Sequence, residues 1–195
     1  MTIHAHDLPM ERIAKMISKW VVFGLFAMLT ACTTMNAALH REKTAIAMLA
    51  PTEGNIASGV VNFSQDGDIM QIDIRVDNLK PNSMHGVHIH IVGDCRAPDA
   101  SSAGGHFNPQ SSTHGGPFSA PRHGGDLGNI QADANGSAAA SLEVTGISLG
   151  KDDDSIIGRA VIVHAQGDDL SSQPSGNAGP RIACGLISKN PDKFF

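Results

Sequence analysis

Alternation of apolar and polar positions is clearest at residues 69–77, where Ile72, Ile74 and Val76 point one way and Gln71, Asp73, Arg75 and Asp77 the other. A period of two is the pattern of a strand with one buried face. Shorter, partly alternating runs at 44–49 and 56–63 precede it, separated by Pro51 and Gly54, and Pro81-Asn82 breaks the chain after it. In the run HGVHIHIV (85–92), His88 and His90 fall on one face and Val87, Ile89 and Ile91 on the other. Further strand-like runs occupy 127–133, 137–144, 156–164 and 181–188. Asn135-Gly136 between the first two of these predicts a hairpin, because both residues tolerate positive φ. No amphipathic helix is expected after residue 43. Eight short strands predict an all-β antiparallel sandwich or barrel. Its core should be aliphatic, since the chain has no tyrosine and its one tryptophan is Trp20.

Two long segments, 93–126 and 165–180, interrupt the strands, and loops of that length in a compact domain are usually functional or disordered. The first carries His106, His114, His123 and Asp126 across a Gly/Ser/Pro-rich stretch, and His164 ends the run AVIVH just before the second. Together with His88 and His90 these make seven candidate ligands, too many for one ion of ordinary coordination number. Imidazole suits both copper and zinc, and a lone carboxylate among imidazoles suits zinc. Two adjoining metal sites are therefore expected. Of the histidines outside this set, His4, His6 and His40 read as solvated.

The first residues read as an export signal. Arg12, Lys15 and Lys19 precede an apolar run from Trp20 to Leu29, too short to cross a bilayer as a helix but of the length of a secretory signal. Leu29-Thr30-Ala31-Cys32 resembles the lipobox of bacterial lipoproteins, with Cys32 the lipidated residue; the alternative is an ordinary signal peptide with a chance cysteine. Residues 1–31 are then removed, 32–42 form a tether, and 43–195 form the domain. The location that follows is the periplasm, with an N-terminal lipid anchor in a membrane, the outer one favoured by Thr33. The removed segment holds three basic and two acidic residues, so the formal charge of −5 becomes −6, which argues against a nucleic-acid partner. With Cys32 lipidated, Cys95 and Cys184 remain as one pair; in an oxidising compartment they read as a disulfide rather than two buried thiols.

Several motifs are similar to those of the copper/zinc superoxide dismutase family. They are Gly86-Val87-His88-Ile89-His90, Gly105-His106-Phe107-Asn108-Pro109, His114-Gly115-Gly116-Pro117, Arg122-His123-Gly124-Gly125-Asp126-Leu127-Gly128-Asn129, and the stretch from Gly176 to Gly185. The resemblance covers roughly residues 43–188. It implies a Greek-key sandwich or barrel of eight strands with two functional loops, and an enzyme that disproportionates superoxide to dioxygen and hydrogen peroxide. His88, His90, His106 and His164 would hold copper, and His106, His114, His123 and Asp126 would hold zinc, one ion of each per subunit. His106 would be shared as an imidazolate and, with Arg181, would be catalytic. Asp168 would link ligands of both metals from behind, and His85, which resembles a structural histidine of the family, would bond to backbone rather than to metal. Arg181 would guide the anion to the site. Ser175 stands where many members carry threonine, and the 165–180 loop contains no lysine. The competing reading is a non-catalytic periplasmic copper/zinc-binding lipoprotein. The sequence leaves the oligomeric state open, a homodimer among its forms.

Overall fold

The computed structural model describes residues 43–189; the expected export segment, Cys32 and the tether lie outside the described residues, as does the stretch 190–195. Eight strands are formed: β1 (Lys43–Pro51), β2 (Ser58–Asp66), β3 (Ile69–Asp77), β4 (Met84–His90), β5 (Asp126–Gln131), β6 (Ala138–Val144), β7 (Ala160–His164) and β8 (Arg181–Ser188). Among the described residues the one helical element is a single 3-10 turn, Ser101–Ala103. Hydrogen bonds join the strands in the order β5-β4-β7-β8-β1-β2-β3-β6, every pair antiparallel. β4 leaves its sequence neighbour β3 to pair with β7, and β6 returns to β3. This is the expected all-β Greek-key architecture, a nearly closed barrel.

The barrel closes around an aliphatic interior. Val61, Phe63, Ile72, Ile74, Val87, Ile89, Val161 and Val163 are all buried in one cluster. Val87 and Ile89 on β4 and Val161 and Val163 on β7 alternate with His88, His90, Ile162 and His164, which therefore face the outside of the barrel. That outer face is buried as well, because the long segments fold back over it. A second cluster of Ala100, Ala103, Ala160, Ile162 and Cys184 packs there. β7 thus reads as an unbroken apolar run because both of its faces are covered.

The 91–125 segment is held against β4 by backbone bonds: Phe107 N–H to Ile89 O at 2.8 Å, Ile89 N–H to Gly125 O at 2.9 Å, and Ile91 N–H to Gly105 O at 2.9 Å. The Phe107 ring is buried, with the Arg159 guanidinium 3.6 Å from its centroid. The expected Cys95–Cys184 disulfide is present and fastens this segment to β8. It joins residues 89 apart in sequence, a constraint on the unfolded chain of about 4–5 kcal/mol in the loop-entropy account.

Three local expectations need correction. Asp133–Ser137 is a tight turn around Asn135-Gly136, but β5 and β6 do not form a hairpin ladder. They pair with β4 and β3 and stand at opposite ends of the strand order, because the turn bonds to the β3–β4 connection, Gly136 O accepting from Leu79 N–H and Asp133 O from Asn82 N–H, and each arm follows a different strand. The 56–63 run begins as a strand only at Ser58. Asn55 and Thr52 close a turn before it, and Ile56 is exposed. It then extends through the polar residues Ser64 to Asp66, because these pair with β3. The 156–164 run is a strand only from Ala160. Ile156 is buried but bonded to Ser148 O, and Gly158 turns the chain at φ +78°.

Candidate metal centre

Strand register does the first part of the assembly. His88 of β4 lies directly across from Asp126, the first residue of β5, and His164 of β7 directly across from Arg181, the first residue of β8. Both pairings sit beside register shifts, between Gly86 and His88 and between Val163 and His164. Such bulges re-aim side chains next to functional sites. The 91–125 segment then brings His106, His114 and His123 over this face.

The seven expected ligands converge into two groups of four. Ligand atoms of His88, His90, His106 and His164 lie within 4.8 Å of one another, as do those of His106, His114, His123 and Asp126. His106 belongs to both. On one side Asp126 Oδ1 stands 2.8 Å from His106 Nδ1, 3.0 Å from His114 Nδ1 and 3.2 Å from His123 Nδ1, and His123 Nδ1 is 3.4 Å from His106 Nδ1. A tetrahedron of ligands at zinc bond lengths has edges of about 3.3 Å, so this spacing suits zinc. On the other side the His88 and His106 rings have centroids 4.0 Å apart, with His164 4.9 Å from His88.

The hydrogen bonding tests whether these residues fit metals. His88 Nδ1, His90 Nε2, His106 Nε2, His114 Nδ1 and His164 Nε2 are buried with no hydrogen-bond partner. Buried polar atoms are rarely left so, and five in one place call for a ligand. The opposite nitrogen of each ring is engaged. For His106 this is Nδ1, which meets Asp126 Oδ1 (2.8 Å) inside the other ligand group, while His88 Nε2 donates to Asp168 Oδ2 (2.8 Å), His90 Nδ1 to Gly104 O (2.8 Å), His114 Nε2 to Asp168 Oδ1 (2.9 Å) and His164 Nδ1 to Gly179 O (2.9 Å). This is the arrangement that orients metal-binding imidazoles. The donor sets fit copper and zinc.

Burial controls the protonation of the strand histidines. Desolvation pushes His88 down to about 4, His164 to about 3 and His90 to about 2, with the neighbouring histidines adding to the effect. Burial also lowers His123. These rings are neutral at pH 7, the form a metal requires. Burial alone would raise Asp126, but hydrogen bonds from His106 and from the Gly115 and His123 N–H groups outweigh it and hold the carboxyl below its usual range. Asp168 is likewise kept low against burial by His88, His114 and the Leu170 N–H.

Asp168 occupies the expected bridging place, touching one ligand of each group. Asn129 of β5 fixes its backbone from both sides, donating to Asp168 O at 2.9 Å and accepting from Asp168 N–H at 2.7 Å. Sequence reasoning gave Asn129 no task, since an amide on a strand carries no sign of what it meets. Arg181 donates to Ala100 O at 2.5 Å and to Gly104 O at 2.6 Å, so Gly104 O accepts from both Arg181 and His90. Thr52, also missed, donates its hydroxyl to Arg181 O at 2.9 Å. His85 donates through Nδ1 to His164 O at 2.8 Å, backbone bonding as expected. A cleft of 430 Å³ opens onto the first group, lined by His90, His106, His164, Ser175 and Arg181 among others.

The sequence profile of the copper/zinc superoxide dismutase (SODC) family matches residues 57–187. The chain is 38% identical over 180 residues to a superoxide dismutase (Cu-Zn) of Paramecium bursaria Chlorella virus 1, covering 89% of this chain and 95% of that protein. It is 40% identical over 164 residues to an extracellular superoxide dismutase (Cu-Zn) of Brugia pahangi, covering 80% of each. Over 140 residues it is 44% identical to superoxide dismutase (Cu-Zn) 2 of Mesembryanthemum crystallinum, covering 68% of this chain and 88% of that protein.

Proposed function

Because this chain belongs to the copper/zinc superoxide dismutase family and is a copper- and zinc-dependent enzyme that converts superoxide to dioxygen and hydrogen peroxide, we propose which of its residues do the work. His88, His90, His106 and His164 hold copper, and His106, His114, His123 and Asp126 hold zinc. The observation that carries this reading is the set of five buried, unpartnered ring nitrogens, four of them (His88 Nδ1, His90 Nε2, His106 Nε2, His164 Nε2) in the first group and His114 Nδ1 in the second. When bound, copper supplies a one-electron couple by which one superoxide is oxidised and a second reduced, and zinc supplies fixed positive charge.

His106 faces one group with each ring nitrogen, so Nε2 is placed to hold a proton and pass it to the reduced oxygen product while Nδ1 stays with the Asp126 side. Arg181, fastened by two carbonyls at the wall of the cleft, attracts and orients the small anion. Asp168 keeps the His88 and His114 rings turned toward their groups. A copper/zinc carrier without catalysis would have no use for a guanidinium beside the copper group. The test is the copper- and zinc-loaded protein with Arg181→Ala. We expect superoxide consumption to fall by about tenfold with both metals retained, and to lose much of its dependence on ionic strength. A variant as fast and as salt-sensitive as the parent would remove Arg181 from the mechanism.

The enzyme protects the cell envelope: it is exported to the periplasm and anchored through lipid on Cys32, with the outer membrane favoured. This is supported by the basic start, the Trp20–Leu29 run and Leu29-Thr30-Ala31-Cys32. Mass spectrometry of the mature N-terminus checks it, and an unmodified start at Thr33 or later rules it out. A homodimer is supported by Met48 and Val92, large apolar side chains that are both exposed around one depression beside β8.

A further inference from the structure

Gln173 is an exposed residue of the 165–180 loop, and its amide closes on the backbone of a ligand in the other loop. Its Oε1 accepts from His114 N–H at 2.8 Å, and its Nε2 donates to His114 O at 3.0 Å and to Ser171 O at 3.1 Å. One side chain therefore holds both backbone groups of His114. The His114 ring is held by the same loop, through Nε2 to Asp168 Oδ1 at 2.9 Å. Three residues further on, Gly176 has φ +65° and lies so close that a Cβ there would collide with Asp168 Oδ1 and His114 Nε2. Pro174 and Ser175, which line the cleft, lie between these two anchored points.

Resting on the two-metal reading above, we propose that Gln173 is a positioning residue that ties the cleft wall at Pro174 and Ser175 to His114, so that filling the His106/His114/His123/Asp126 group sets how an anion reaches Arg181. A cation that fixes His114 Nδ1 also fixes the His114 backbone. Through the Gln173 amide, that order passes to the cleft wall. These two hydrogen bonds join the His114 backbone to the residue next to Pro174, and they involve no strand of the barrel. Asp168 orients only the ring and Asp126 Oδ2 accepts from the next residue, Gly115 N–H at 3.1 Å, whereas Gln173 bonds the N–H and C=O of His114 itself.

The test uses the full-length protein loaded with copper and zinc, with Gln173→Ala and Gln173→Glu. Zinc release to a coloured chelator, copper content and azide titration of the copper spectrum are read together. Gln173→Ala should release zinc about 10-fold faster, the lower end of what losing an outer contact of a metal ligand costs. It should keep its copper and bind azide more weakly than the parent. Gln173→Glu retains an acceptor for His114 N–H and should recover part of both effects. The metal-free, disulfide-bonded variants should melt with the parent, because the contact matters once His114 is fixed. Parental zinc release and azide affinity would overturn the proposal, and so would a loss of melting temperature as large without metals as with them. Failure of the parent itself to take up one copper and one zinc would instead overturn the two-metal reading, and the inference with it.

Discussion

The two ligand groups are built by different means. Three of the four copper-side residues come from adjacent strands of the ladder, with His88 across from Ile162 and His90 across from Ala160. Backbone bonds and the core on the other face of β4 and β7 fix them, whatever is bound. On the zinc side only Asp126 stands on a strand, and His106, His114 and His123 all come from the 91–125 segment. There the organising element is a carboxylate, which also accepts from His123 N–H at 2.8 Å and Gly115 N–H at 3.1 Å. A metal on the copper side enters a preset site, whereas a metal on the zinc side completes the folding of its own loop.

Removing what the two groups share should have the largest effect. His106→Ala should lower superoxide consumption by more than ~100-fold, beyond the range for outer contacts, and reduce the content of both metals. Two metals and near-parental activity in that variant would break the shared-ligand assignment. Asp168→Ala should come next, weakening zinc by about 10–100-fold in a competition titration. Copper should be weakened less, since His88 keeps its place on β4. Equal losses on the two sides would erase the contrast between strand-built and loop-built groups.

Selective removal of zinc should sharpen that contrast further. Amide hydrogen exchange should quicken by about tenfold or more across 91–125 while the amides shared by β4 and β7 stay protected. The smallest expected effect is on the strand-held rings of the metal-free protein. His88, His90 and His164 titrate far below 6.5 when folded, so the unfolded chain takes up protons first as the pH falls. Stability should therefore be level above about pH 7 and decline from about pH 6.5 toward pH 4, in thermal melts of the metal-free, disulfide-bonded protein. A flat profile would mean that these rings are not held dry by the barrel.

Much of this was legible in the chain. Period two marked β3, the alternation in HGVHIHIV put two histidines on one face, and the long Gly-rich segments marked where ligands could be mobile enough to converge. The failures have a common cause. Asn135-Gly136 signals a tight turn, and the turn is there, but a local signal cannot say whether the flanking strands prefer other partners. Gly104 O, shared by His90 and Arg181, is a backbone acceptor, and no side-chain pattern announces it. Asn129 and Gln173 are ordinary amides whose targets, Asp168 and His114, lie 39 and 59 residues away.

By itself, then, the sequence determined the kind of chemistry: six imidazoles and a carboxylate in strand and loop settings, one cysteine pair in the domain, and an arginine near its second cysteine. It also determined which face each strand residue occupies, because alternation is a property of the local backbone. Only the tertiary structure decided which residues on those faces become neighbours. The pairings His88 with Asp126 and His164 with Arg181 depend on register between distant strands, which core packing sets. Which nitrogen of His106 looks toward which group depends in turn on Asp126 claiming Nδ1 and leaving Nε2 free.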